Sequence, residues 1–269
     1  MVALVSDMQP DSSVVAEVRP SPNHGERVQD AKPDMIVLHY TGMANPRAAL
    51  EKLCSAGTEV STHYVVMEDG HIIQCVPEAR RAWHAGAAAW DGESDINSCS
   101  IGIEIANPGH DHGYPDFPKR QIAAVTTLCR SILTRYRIPP YRVLGHSDVA
   151  PTRKKDPGEK FPWERLHESR IGLWVKPAPI TPGGPVMVLG ENDPAILDMQ
   201  DLLSKYGYAV PTSGHFDGTT RDVVAAFQRH FRQAQVDGVA DRSTIATIKA
   251  LVAAREAQGR RVASPQGRT

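Results

Sequence analysis

No charge of one sign predominates in this chain: 30 Lys+Arg stand against 31 Asp+Glu in 269 residues, a formal charge of −1. Nucleic-acid binding by counterion release and polybasic membrane binding both need a clear cationic excess, so the balance argues against both. Cysteine is scarce. Cys54, Cys75, Cys99 and Cys129 stand far apart with no Cys-x-x-Cys pair, which excludes a dense disulfide framework or a structural zinc knuckle and reads as buried reduced thiols. Aromatic residues are only 6%, yet 41% of residues are hydrophobic and 23% charged, enough to build a core and to exclude disorder as the main state. No run approaches the roughly 18 apolar residues of a membrane span. The N-terminus shows no Lys or Arg before Arg19 and no apolar run of about 7–15 residues, so it does not read as a secretory leader. The expectation is a cytoplasmic protein, with a periplasmic or wall-associated one as the alternative.

What is present divides into two unequal parts. Residues 1–19 are polar, lack a period and read as a loose lead-in. From Asp34 to Tyr40 an apolar run follows Pro33 and reads as a buried strand. Asn45-Pro46 supplies an N-cap and a first-turn proline for a helix through Leu53. Two β-branched runs around Asp69-Gly70 predict a hairpin. Ser100-Ile-Gly-Ile-Glu-Ile-Ala106 alternates, placing Ile101, Ile103 and Ile105 on one face and Gly102 and Glu104 on the other. Helical spacing runs from Lys119 to Tyr136, a strand follows over Tyr141–Gly145, and a short helix opens at Trp163. Helices and strands alternate, so residues 20–175 read as an α/β domain with a mixed central β-sheet flanked by helices.

Four prolines between Lys176 and Pro185 mark residues 176–186 as a semi-rigid linker. Residues 187–256 then show three helical patterns, around 195–206, 220–231 and 243–253, with a weak repeat, Phe216-Asp-Gly and Val236-Asp-Gly. They predict a small all-α three-helix C-terminal domain. Residues 257–269 read as a disordered tail.

Two histidines close strands in like circumstances: His39 ends the first run, and His146 follows Gly145. Asp156 comes ten residues after His146 in a Pro-bounded loop. Two imidazoles and a carboxylate can hold a catalytic zinc, leaving the fourth position for water. Spacing alone leaves open ordinary core or surface histidines and a solvated Asp.

The surrounding motifs narrow this. His39-Tyr-Thr, Ser61-Thr-His-Tyr-Val-Val66, Arg81-Ala-Trp-His-Ala-Gly86, Asn97 through Glu104, and Gly145-His-Ser-Asp through Gly158 occur in that order. Over residues from about 20 to 173 the chain resembles the zinc N-acetylmuramoyl-L-alanine amidases of the AmpD/AmiD type. The resemblance implies one zinc per chain held by His39, His146 and Asp156, with Glu104 and Lys154 as catalytic partners. The substrate it implies is peptidoglycan or its muropeptide fragments, cut between N-acetylmuramic acid and L-alanine. His63, Trp83, His84 and Asn97 are candidates for substrate binding. The set also departs from some relatives of the superfamily: phage-type amidases and animal peptidoglycan-recognition proteins often carry Cys at the position of Asp156, and phage lysozyme-amidases tend to carry Tyr at Thr62. The alternative is a non-catalytic recognition protein on the same fold. His110-Asp-His112, flanked by Gly109 and Gly113, reads as an exposed loop rather than a metal tract. Residues 187–256 resemble a three-helix peptidoglycan-binding domain, which on a tether would raise the local concentration of its neighbour at a polymeric substrate.

Overall fold

The structure, a computed structural model, describes residues 8–263. Eight strands form: β1 (Glu17–Val18), β2 (His24–Gly25), β3 (Met35–Tyr40), β4 (Tyr64–Val66), β5 (Ile72–Gln74), β6 (Arg81–Ala82), β7 (Ser100–Ile105) and β8 (Val143–Gly145). Six of them make one sheet in the order β1-β5-β4-β7-β3-β8, mostly parallel, with β4 and β5 as the antiparallel hairpin expected around Asp69-Gly70. The helices are α1 (Pro46–Cys54), α2 (Ile96–Cys99), α3 (Lys119–Arg135), α4 (His146–Val149), α5 (Trp163–Glu168), α6 (Pro194–Tyr206), α7 (Gly218–Phe231) and α8 (Arg242–Ala263).

The alternation in β3 and β7 decides what each face of the sheet does. Ile36, Leu38, Ile101, Ile103 and Ile105 pack on the apolar stripe of α3, through Ile122, Val125, Leu128 and Ile132. The opposite face presents Val37, His39, Gly102 and Glu104. Register then sets the site: His39 pairs with Glu104, and Leu38 pairs with Gly145, so His146 follows one step beyond β8. Parallel strands carry the chemistry at their C-terminal ends, the usual place for it in such sheets. Asn45 caps α1 by accepting from the backbone N–H groups of Arg47 and Ala48 at 2.9 and 3.3 Å.

The C-terminal helices form as the apolar spacing predicts, but the repeat in the structure is not the Asp-Gly one: Asp217 caps α7 as Asp241 caps α8, and Asp237-Gly238 is the counterpart of Ser213-Gly214. Gln200 accepts from the N–H groups of Ser213 and Gly214, both at 2.9 Å, and Gln228 accepts from those of Asp237 and Gly238 at 3.0 and 2.9 Å. Each buried amide thereby folds one Gly-containing turn.

Three expectations need correction. Within the lead-in, Glu17–Val18 is an edge strand paired with β5, and Val14 and Val15 pack on the core. Two residues are too short to leave a period, so this strand exists only through its partner. The tail reading fails for residues 257–263, which continue α8; residues 1–7 and 264–269 lie outside the described residues. The second domain is not merely tethered: Tyr206, Tyr208, Phe227 and Phe231 share one apolar cluster with Met35, Val37, Trp90 and Ile96 of the first. The linker is fastened too, since Ala178 donates to Thr247 Oγ1 and accepts from Ser243 Oγ. All four cysteines are free thiols. Among the described residues no helix is long and apolar enough to cross a membrane.

Candidate active site

His39, His146 and Asp156 meet at one point. His39 Nδ1 and His146 Nδ1 lie 2.9 Å apart, and Asp156 Oδ2 lies 3.1 and 3.0 Å from them. All three side chains are buried. They open into a cavity of about 320 Å³ also lined by Tyr40, Trp83, His84, Glu104 and Lys154. A second cavity of about 330 Å³ shares Trp83, His84, His146 and Lys154 and adds Asn97 and Arg153. The two adjoin along that shared wall to form one groove, with His146 lining both parts and His39 and Asp156 the first.

The hydrogen-bond pattern assigns the protons. Ser100 Oγ donates to the Ile96 carbonyl at 2.5 Å, so it accepts from His84 Nε2 at 3.1 Å. His84 Nδ1 then accepts from His39 Nε2 at 3.0 Å, which leaves His39 Nδ1 bare. His146 Nε2 donates to the Ala85 carbonyl at 3.0 Å, which turns its Nδ1 toward His39 and Asp156. Burial, with His146 alongside, pulls the His39 pKa down to about 4, keeping the imidazole neutral. Burial alone would raise the Asp156 carboxyl, but His146 and His39 beside it more than offset that and hold it ionised well below the usual range. Two imidazole Nδ1 atoms and one carboxylate oxygen therefore converge on one point. Tetrahedral zinc with bonds of about 2.0–2.1 Å would need ligand separations of about 3.3 Å, a small expansion of the observed triangle. The donor set fits a divalent cation, and second partners already orient both imidazoles.

Gly102 makes the His84 contact possible. A Cβ at residue 102 would lie 2.5 Å from the His84 ring, so a side chain there would dislodge the residue that orients His39.

Glu104 stands beside the cluster with Oε2 buried and no hydrogen-bond partner. Burial, and secondarily the Asp156 charge, push its carboxyl well above the ordinary value. An unpaired buried carboxyl is costly, and a cluster of such perturbed groups in a cleft marks a functional site. The sign of the linkage follows. A raised folded-state pKa stabilises below the unfolded value and loses that advantage as pH rises through the folded value. Metal-free Glu104→Gln is therefore expected to melt higher than metal-free wild type at pH 7, by about 2–4 °C for each kcal/mol recovered. The gap should close toward pH 4. Calorimetry of both proteins after chelation checks this, and an equal melting temperature at pH 7 would refute the buried-charge account.

Lys154 lines both cavities, and Trp83 forms part of the shared wall. Asn97 reaches the groove, but its Oδ1 accepts from the His84 and Ala85 N–H groups at 3.1 and 2.9 Å, so it shapes the loop that carries His84. The expectation for His63 needs correction. It is fully buried, its Nδ1 accepts from the Gly102 N–H at 3.0 Å and its Nε2 faces the Arg80 carbonyl at 3.0 Å. With both nitrogens engaged by backbone, and its ring 5.8 Å from that of His84, it braces β7 and the His84 loop and offers no free nitrogen to a substrate. His110 donates no ligand to the cluster; it lies between Tyr40 Oη at 3.0 Å and Glu159 at 3.1 Å. Sequence reasoning missed Ser100 as the end of the His84–His39 chain. Its only signal is a Ser placed two residues before Gly102 on the strand that carries Glu104.

This layout, two buried imidazoles and a carboxylate beside an unpartnered glutamate in an open groove, could hold a divalent cation next to an acid–base group, the arrangement of a hydrolytic site. The N-acetylmuramoyl-L-alanine amidase family pattern matches residues 29–159, and a peptidoglycan binding domain pattern matches residues 192–248. The chain is 36% identical over 243 residues to the N-acetylmuramoyl-L-alanine amidase AmiD of Escherichia coli, covering 81% of this chain and 82% of that one. It is 36% identical over 176 residues to the 1,6-anhydro-N-acetylmuramyl-L-alanine amidase AmpD of Citrobacter freundii, covering 58% and 91%. Among solved structures, E. coli AmiD in complex with anhydro-N-acetylmuramic acid-L-Ala-D-gamma-Glu-L-Lys superposes with a TM-score of 0.69 at 35% identity, covering 85% of this chain and 92% of that one. AmpDh3 of Pseudomonas aeruginosa in complex with anhydromuramic pentapeptide gives 0.67 at 30%, covering 93% and 98%. The chain belongs to the N-acetylmuramoyl-L-alanine amidase family, enzymes that hydrolyse the amide bond joining N-acetylmuramic acid to L-alanine.

Proposed function

We propose that this amidase works with one zinc ion held by His39, His146 and Asp156, and that its substrates are muropeptides and peptidoglycan strands lying in the groove. The observation that carries the reading is the convergence of two imidazole nitrogens and a carboxylate oxygen beside the unpartnered Glu104 oxygen. Bound there, zinc supplies a water acidified to a pKa of about 7 and positive charge for the scissile carbonyl. Glu104 takes one proton from the attacking water and delivers it to the departing nitrogen, so base and acid are one residue used twice. The Lys154 ammonium, on the groove wall, donates to the oxygen that becomes negative as the carbonyl turns tetrahedral. Trp83 offers a flat apolar wall on which a sugar ring can rest. Water and amide become a lactyl carboxylate and the free amine of L-alanine.

A relative named as a 1,6-anhydro-N-acetylmuramyl-L-alanine amidase, and similar structures in complex with anhydromuramyl peptides, support a groove that takes soluble fragments. The docked second domain supports polymer as well. Purified sacculi and soluble anhydromuramyl peptides offered in competition test this. Faster release from the soluble pool supports recycling of fragments, faster release from sacculi supports wall remodelling, and release from neither would overturn the proposal. A reducing cytoplasm suits the four free thiols, and cell fractionation tests that placement.

A further inference from the structure

The second domain reaches the turn that carries His146. Asp148, two residues on, has a completely buried side chain. Its Oδ2 accepts from the Gly145 N–H at 2.7 Å, closing the start of α4. The remaining donors come from the other domain: His230 Nδ1 at 2.7 Å to Oδ2, and Tyr208 Oη at 2.6 Å to Oδ1. We propose that Tyr208 and His230 are positioning residues for His146, acting through Asp148.

The physical case begins with the length of α4. A helix of four residues cannot hold itself together, because one turn fixes several dihedrals for a single internal bond. Here that bond is the Ala150 N–H to the His146 carbonyl at 2.9 Å. The Asp148 carboxylate supplies the second restraint, and the Ser147 N–H to the Asp156 carbonyl at 2.9 Å ties the turn to another ligand. Loss of the Tyr208 hydroxyl leaves Oδ1 unsatisfied, and loss of His230 strips Oδ2 of one of its two donors, which frees the side chain to turn and release Gly145. His230 is fixed in turn, stacked between Trp163 at 3.7 Å and Phe231 at 3.8 Å. Gln233 extends the same support by donating to the Phe161 carbonyl at 2.7 Å, just beyond the Asp156 loop. A metal site tolerates about 0.5 Å of ligand displacement, so a slackened α4 is felt at the metal.

The inference rests on the metal reading of the site, and the two fail separately. The experiment uses the full chain loaded with zinc, at a temperature where every variant is folded. Zinc transfer to a chromogenic chelator and the kcat and KM for a soluble anhydromuramyl peptide are measured for Tyr208→Phe, His230→Ala and His230→Asn. Tyr208→Phe and His230→Ala are expected to release zinc about tenfold faster, the lower end of what losing an orienting partner costs. Their kcat should fall with KM little changed, and His230→Asn, which keeps an N–H donor near Nδ1, should recover part of the loss. Arg255→Ala serves as the control. It removes the contact of Arg255 with Asp91 at 2.7 Å, its stacking over Tyr141 at 4.0 Å and its bonds to the Lys205 and Tyr206 carbonyls at the end of α6, loosening the same interface without touching a donor to Asp148, and should leave zinc release unchanged. Wild-type release rates in Tyr208→Phe and His230→Ala would overturn the proposal, as would an equal effect in Arg255→Ala. Wild-type protein that takes up no zinc would instead refute the metal site itself.

Discussion

His146→Ala is expected to bind no stoichiometric zinc and to lose activity by about 10³-fold or more. The size follows from losing several kcal/mol of charge stabilisation at about 1.36 kcal/mol per decade of rate. The residue carries one of three donors and is held by the Ala85 carbonyl at 3.0 Å, so alanine leaves two ligands and a hole. His39→Ala should behave alike. Chelation of the wild-type protein gives the same loss without any substitution, and added zinc should restore turnover, which separates metal loss from misfolding. Metal analysis by mass spectrometry checks the stoichiometry. Zinc content unchanged in both alanine variants would remove these residues from the site.

Glu104→Gln is the second large effect, and its signature is different. The amide fills the same space and is not a metal ligand, so zinc should remain at about one per chain. The proton transfer it performs is lost, and a general acid–base residue contributes about 10²–10⁴-fold. The fall should lie in kcat, because the groove walls that bind the sugar and peptide are untouched. The same substitution that stabilises the metal-free fold therefore costs activity, the exchange expected where a buried carboxyl is kept unpaired for use. A Glu104→Gln enzyme with zinc bound and wild-type kcat would take Glu104 out of the reaction.

The two effects differ in how far the sequence already pointed to them. The alternation of Ser100–Ala106 placed Glu104 away from the isoleucine face, and the register of β3 with β7 put it beside His39. Strand patterning is a local signal, so it survived intact. The caps of α1 and the spacing of α3 were legible for the same reason. Edge strand β1 was not, because two residues have no period and their order comes from β5. His63 misled because a histidine beside strand residues looks alike whether its ring is open to a groove or satisfied by backbone; only the positions of the Gly102 N–H and the Arg80 carbonyl decide. The proton chain from Ser100 through His84 to His39 joins three segments distant in sequence, and nothing local announces it. Nor did composition show that the helical domain would dock. Its Leu, Val and Phe positions mark a core, but that Tyr206, Tyr208 and Phe231 meet Trp90 depends on tertiary packing.

The account stands most directly on the products of one digestion. Zinc-loaded protein and its Glu104→Gln variant would each be incubated with a soluble anhydromuramyl peptide and the products weighed by mass spectrometry. The account predicts free peptide beginning with L-alanine together with the intact anhydromuramic sugar acid, formed by the wild type and almost absent with the variant. Binding of the substrate by zinc-loaded wild type without any Glu104-dependent cleavage would contradict it, and would make the chain a recognition protein built on an amidase fold.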